Sequence, residues 1–125
     1  MALTTNMVTI DCVETAPLVD FWTKALDYAV YRDWGDYVLL IPTDRGSALR
    51  IGLQRVPEPR SGKNRAHLDF VTEERGAEVD RLVGLGASVV GEGSRVLDES
   101  RPMTARWTVL ADPAGNEFCV AEIGH

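Results

Sequence analysis

The same order of elements is written twice in this chain, and that repetition narrows the fold more than any other feature. MVTIDCV (residues 7–13) is β-branched and alternating, which predicts a strand with Val8, Ile10 and Cys12 on one face and Met7, Thr9 and Asp11 on the other. Thr15 is the expected N-cap of a helix with Pro17 in its first turn. Leu18, Phe21, Trp22, Ala25 and Leu26 then recur at helical spacing. Strands are expected at AVYRDW, DYVLLIP and ALRIGLQRV, divided by the turn signals Gly35-Asp36 and Thr43-Asp44-Arg45-Gly46. The second half starts again with AHLDFVT as a strand, then helical spacing through Ala77, Val79, Leu82 and Val83. That helix stops at Gly84 to Gly86, where glycine suits a left-handed cap. SVVGEG, ARWTVLADP and NEFCVAEI supply three more strands, with Asp112-Pro113-Ala114-Gly115 as a turn.

Two βαβββ modules therefore follow one another. Laying Ile10-Asp11-Cys12-Val13 over Leu68-Asp69-Phe70-Val71 and Ala25-Leu26-Asp27 over Gly84-Leu85-Gly86 keeps a nearly constant offset, as a duplicated unit would. The modules are placed at residues 5–56 and 64–123, with the proline-bearing stretch 57–63 as linker in a single 1–125 domain. A helix with one apolar stripe must bury it against a sheet. The expected architecture is an α+β fold: a curved eight-stranded mixed sheet with the helices on its convex face. The opposite face is polar, carrying Thr9 and Asp11; Arg50, Gly52 and Gln54; His67 and Asp69; Glu117, Cys119 and Ala121. Such a face lines the kind of hollow where small molecules bind. The stretch from Gly91 to Trp107 lacks clear periodicity and contains Pro102, which leaves a loop over the mouth of that hollow and an exposed hairpin as open alternatives.

Composition removes several classes of function. A net charge of −6 argues against nucleic acid, whose non-specific affinity comes from Lys and Arg on phosphates. No apolar run is long enough for a membrane span, and the first fifteen residues carry no Lys or Arg, unlike a signal or transit peptide. Cys12 and Cys119 show no CxxC spacing, so free thiols in a reducing, cytoplasmic setting are expected.

The residues VTIDCVETAPLVDFWTKAL, LQRVPEPRSGKNRAHLDF and VLADPAGNEFCV together resemble the vicinal oxygen chelate superfamily, within it the glyoxalase-like proteins related to glyoxalase I, bleomycin-resistance proteins and extradiol dioxygenases. The resemblance implies paired βαβββ modules and a homodimer. It also implies, for metalloenzyme members, a divalent ion held by four inward residues, usually His, Glu or Gln. In this sequence those positions fall on Met7, Gln54, His67 and Cys119. A thioether and a thiol substitute poorly for imidazole and carboxylate in an oxygen-activating or Lewis-acid site. No cofactor is therefore expected; a divalent metal at His67, Gln54 and Glu117, with Asp11 or Asp69, is the alternative.

Each candidate residue carries two readings. His67 and Glu117 are the catalytic candidates, as ligand contact and general base; the plain readings are a hydrogen-bonded strand histidine and a turn cap or Arg106 partner. Asp11, Arg50, Gln54, Asp69, Trp107 and Cys119 are the ligand-binding candidates. Asp11 and Asp69 read as paired carboxylates or as partners of Arg50. Trp107 and Trp34 read as walls for a planar ligand or as packing. Cys119 is a nucleophile only if a nearby cation stabilises its thiolate. The function expected is a small-molecule-binding, glyoxalase-like protein for an aromatic or oxygenated metabolite, without the usual metal site and with lyase- or isomerase-like chemistry. The alternative is non-catalytic sequestration of a drug or metabolite, and a third reading is a dimeric interaction module.

Overall fold

Alternating apolar residues set the strands, and their order repeats. In the computed structural model, which describes Leu3 and residues 5–44 and 49–124, the elements are β1 (Met7–Cys12), α1 (Thr15–Leu26), β2 (Tyr28–Asp33), β3 (Tyr37–Pro42), β4 (Arg50–Arg55), β5 (Leu68–Val71), α2 (Arg75–Leu85), β6 (Ser88–Asp98), β7 (Met103–Ala111) and β8 (Glu117–Gly124). The chain divides into two compact units, Met1–Ser61 and Gly62–His125. The eight strands are hydrogen-bonded as four and four, in the order β1-β4-β3-β2 and β5-β8-β7-β6. In each sheet the first and last strands of the unit run parallel and the remaining pairs antiparallel. The end of the expected Thr43-to-Gly46 turn and Ala48 of the following strand lie outside the described residues. None of the described helices is long and apolar enough to cross a membrane.

Register assigns the faces. In the first unit Val8 pairs with Ile51 and Ile10 with Leu53, while Leu40 and Val38 continue those rungs on β3. Against these pack Leu18, Phe21, Trp22 and Ala25 of α1, all buried, with Phe21 and Trp22 edge-on at 4.9 Å. Each such side chain contributes about 1.5–3 kcal/mol when removed from water. Glu14, not Thr15, is the N-cap of α1, and it makes no side-chain cap bond; Thr15 is already helical. Asp27, at φ 56°, closes the helix in the left-handed region by donating its N–H to Thr23, a conformation that short polar residues tolerate.

The second unit has a thinner apolar seam. On its helix side Leu68, Phe118 and Leu110 form one rung and Phe70, Val120 and Thr108 the next. Of α2 only Leu82 is fully buried, and Val83, expected on the apolar stripe with Ala77, is 44% exposed. The helix presents Arg75, Glu78, Val79, Leu82 and Leu85 as its less exposed stripe instead. A polar tether accounts for that orientation: Arg75 donates from Nη1 to the buried Thr108 Oγ1 at 2.8 Å, and its backbone N–H donates to Glu122 at 3.3 Å. Glu122 of β8 thus supplies a cap that the helix's own Glu74 does not.

Two boundaries differ from expectation in ways that matter for the site. β5 begins at Leu68, where parallel pairing with Phe118 starts, so His67 stands one residue before the strand. β6 runs on to Asp98 because pairing with β7 continues from Glu92–Thr108 to Asp98–Met103, with a register shift at Leu97, so the segment is a hairpin with an exposed strand. Asp98 closes its tip by accepting from the Ser100 N–H and hydroxyl at 3.0 and 2.7 Å. These bonds hold its carboxyl below the usual range.

Candidate functional site

Strand alternation and the parallel β5–β8 register together build one polar face on the second unit. Asp69 lies beside Cys119, which lies beside Val109; the next rung is Val71, Ala121, Trp107 and Gly93. Glu117, two residues before Cys119, shares that face. His67 returns over Asp69, its Nε2 3.5 Å from Asp69 Oδ1. The His67, Asp69 and Cys119 donor atoms all lie within 4.8 Å of one another. The cluster is graded in exposure: the His67 and Asp69 side chains are 42% and 65% exposed, whereas Cys119 is 6%.

Electrostatics decide what the thiol can do. Burial, then the Asp69 charge and hydrogen bond, then Glu117, push the Cys119 pKa above the ordinary thiol value; Lys63 acts weakly in the other direction. Reactive cysteines need the reverse, a cationic setting that favours thiolate. Cys119 is therefore a protonated donor at neutral pH and not an activated nucleophile. The indole of Trp107 lies flat across Gly93, close enough that an added Cβ there would meet ring atoms at 2.5 Å. A flat apolar surface thus borders the polar cluster.

The matching face of the first unit is occupied by its own side chain. Asp11, Gln54 and Tyr37 form one rung and Thr9, Gly52 and Leu39 another. The Tyr37 phenol crosses Gly52, where a Cβ would collide with the Tyr37 hydroxyl and approach its ring carbon to 2.6 Å. Its hydroxyl donates to Met7 Sδ at 3.1 Å and lies 3.0 Å from Thr9 Oγ1. Arg50 pairs in register with Met7, two rungs along the same face from the Asp11–Gln54 pair. Trp34 is exposed, edge-on to Tyr37 at 6.1 Å, with the Arg32 guanidinium 5.2 Å above it.

Of the expected site residues, the structure draws His67, Asp69 and Cys119 together and sets Glu117 and Trp107 on the same face, while Asp11, Arg50 and Gln54 belong to the first unit's face. Two neighbours set the surroundings of Glu117. The turn is stapled by the buried Asp112, whose Oδ1 accepts the N–H groups of Ala114 and Asn116, both at 2.9 Å. Arg106 pairs with Glu122 on the opposite side of the sheet from Glu117. The residue that sequence reasoning passed over is Tyr37. Its signal was Gly52, since a glycine inside a central strand marks close approach by another group.

The four positions implied for a divalent ion can now be tested on chemistry. Met7 is a thioether already engaged by a phenol, Gln54 an exposed amide, and Cys119 a buried thiol. This set does not fit a hard ion such as Mn(II), which prefers carboxylate, carbonyl and water oxygens.

A family model for the glyoxalase-like domain matches residues 7–121. A search of curated protein sequences returned no match. Among solved structures, the chain is similar to the fosfomycin resistance protein FosX from Listeria monocytogenes, determined with Mn(II) and a dihydroxypropylphosphonic acid. The TM-score is 0.76 at 16% identity, covering 96% of this chain and 90% of that one. It is also similar to a glyoxalase-related enzyme from Fulvimarina pelagi (TM-score 0.70, 12% identity, 95% and 87% covered). A glyoxalase/bleomycin resistance protein/dioxygenase superfamily member from Sphaerobacter thermophilus gives a TM-score of 0.68 at 18% identity, with 96% and 97% covered. At these identities the likeness is one of fold. The match across nearly the whole sequence, on a twice-repeated βαβββ backbone, makes this chain a member of the glyoxalase-like domain family.

Proposed function

We propose that this protein binds a small oxygenated or planar molecule on the polar face of its second unit and works there without the four-donor divalent centre of its metal-dependent relatives. The observation that carries the reading is the convergence of imidazole, carboxylate and thiol at His67, Asp69 and Cys119, bordered by the Trp107 indole. Hydrogen bonds from His67 and the protonated Cys119 suit ligand oxygens, and the indole suits a flat ring. In the lyase- or isomerase-like form of this reading, His67 takes a proton from a carbon next to a carbonyl and Asp69, 3.5 Å away, stabilises the imidazolium. Glu117 is then a further contact on the same face. Asp11, Arg50 and Gln54 stand on the first unit's face.

Sequestration without turnover is the second reading. The raised pKa of Cys119 favours it, because no activated nucleophile is present in the cluster. A homodimer and a reducing, cytoplasmic setting accompany both readings, supported by the resemblance and by two cysteines that form no disulfide. Thermal-shift titration with catechol and salicylate tests the binding claim. Stabilisation lost in His67→Ala and in Trp107→Ala is expected; stabilisation unchanged in both variants contradicts it. Exchange of the substrate's α-proton with deuterated water, abolished by His67→Ala, separates chemistry from sequestration.

A further inference from the structure

We infer that β6 is a self-association edge: it pairs antiparallel with β6 of a second copy of this chain, about a two-fold axis at Gly93, so that the two second-unit sheets run on as one. The inference goes beyond the ligand reading. It rests only on the homodimer put forward with that reading, to which it gives a place. The edge concerned is at the far side of the sheet from β5, the strand that carries Asp69.

Sheet order leaves one side of β6 unpaired, and α2 rests against β7 and β8. A long edge strand with exposed apolar side chains is a template for another strand unless something blunts it. β6 has 11 residues, and its apolar members Val89, Val90, Val96 and Leu97 are between 47% and 60% exposed. They stand at equal distances on either side of Gly93, so a two-fold axis there sets Val89 against Leu97 and Val90 against Val96 of the second copy. Directly facing residues of an antiparallel pair point to the same side of the sheet, which requires the axis to fall on a residue, as it does here. The polar centre agrees: Ser94 meets Glu92 and can donate to its carboxylate, and Arg95 meets Gly91. Gly91 is the telling position. It lacks the positive φ of a glycine bulge, and an added Cβ there would meet nothing within 4 Å. Nothing among the described residues thus calls for a residue that weakens a strand, whereas a facing arginine does. The register shifts against β7, at Val90 and Leu97, lie outside the Gly91-to-Arg95 run and add one apolar residue at each end of it. The first unit offers no counterpart, because β2 has 6 residues, packs against α1 and ends in Arg32 and Asp33.

Sedimentation velocity of the full-length protein over a dilution series reads the dimer. Val90→Lys and Val96→Lys, both at exposed positions, should each weaken it on the order of 10-fold or more. Val30→Lys, on the outer strand of the first unit, should leave it unchanged. Disulfides read the register, since directly facing strand residues stand about 5 Å apart, within reach of an S–S bond. Gly91→Cys mixed with Arg95→Cys should give a cross-linked dimer on mild oxidation. Either variant alone should not, because its own new thiols would stand four residues out of register, roughly 13 Å apart; Cys12 and Cys119 are buried. Cross-linking confined to the mixture, with a dimer lost in the lysine variants, upholds the inference. A dimer that both lysine variants leave intact, or a disulfide formed as readily by one cysteine variant alone, overturns it and leaves the homodimer to another surface. A monomer at every concentration removes the homodimer and the interface together.

Discussion

The two units share an order of elements and a strand topology, yet they fill both sides of their sheets differently. The first packs two aromatic side chains and Leu18 under its helix, then closes its polar face with Tyr37. The second buries one leucine of its helix, ties that helix to the sheet through Arg75 and Thr108, and gathers three donor groups on its polar face. In a duplicated module the requirement shared by both copies is the alternation that seats a helix on a sheet. The other face is free to diverge, and here one copy crosses it with a phenol while its sibling gathers His67, Asp69 and Cys119 there.

Predictions follow from that contrast, beginning with the helix side. Trp22→Ala should cost about 3–5 kcal/mol and Leu82→Ala about 2–5 kcal/mol, with the tryptophan variant the less stable of the two in urea denaturation. Equal or reversed costs would break the claim that the first unit carries more of the packing. On the polar faces, Gly52→Ala should cost about 1–3 kcal/mol, because the added carbon meets Tyr37 over a buried central strand. Gly93→Ala should cost less: β6 is an edge strand, so Trp107 has room to shift toward solvent. A larger cost at Gly93 would show that the indole is held as rigidly as the phenol.

Smaller effects sharpen the comparison further. Tyr37→Phe removes the hydroxyl contacts to Met7 and Thr9 and should cost about 0.5–1.5 kcal/mol. His67→Ala, at an exposed position, should change stability by under about 0.5 kcal/mol while abolishing catechol-induced stabilisation. Loss of stability alongside loss of binding would make His67 a structural residue. Cys119 should alkylate more slowly than a free cysteine at pH 9. Because its folded-state pKa is raised, the associated stability is full below the ordinary thiol value of 9.0 and is lost as pH rises through the folded value. Rapid alkylation near neutral pH would place a cation, not carboxylates, beside the sulfur.

Most of the backbone was readable from alternation and turn residues, because both are local. Ile10 and Leu53 face the helix and Asp69 and Cys119 face away, as period-two reading requires. What escaped depends on pairing between distant segments. The start of β5 after His67 is set by where β8 begins to pair, and the length of β6 by its partner β7. The rotation of α2, which turns Val83 outward, follows from Arg75 reaching Thr108 across the sheet. The site was half readable. Alternation puts His67, Asp69, Glu117 and Cys119 on one face, but only the parallel register sets Asp69 directly beside the thiol. Tyr37 was missed because an aromatic residue in an apolar strand reads as core; only the glycine beneath it marks the crossing.

The central claim is that the second unit's polar face, and not the first's, receives the ligand. An amide NMR titration of the intact protein with catechol tests it most directly. The account predicts shifts concentrated at His67 to Val71, Cys119 and the Trp107 indole, with Thr9, Tyr37 and Gly52 unmoved. Largest shifts at Thr9, Tyr37 and Gly52 would contradict it.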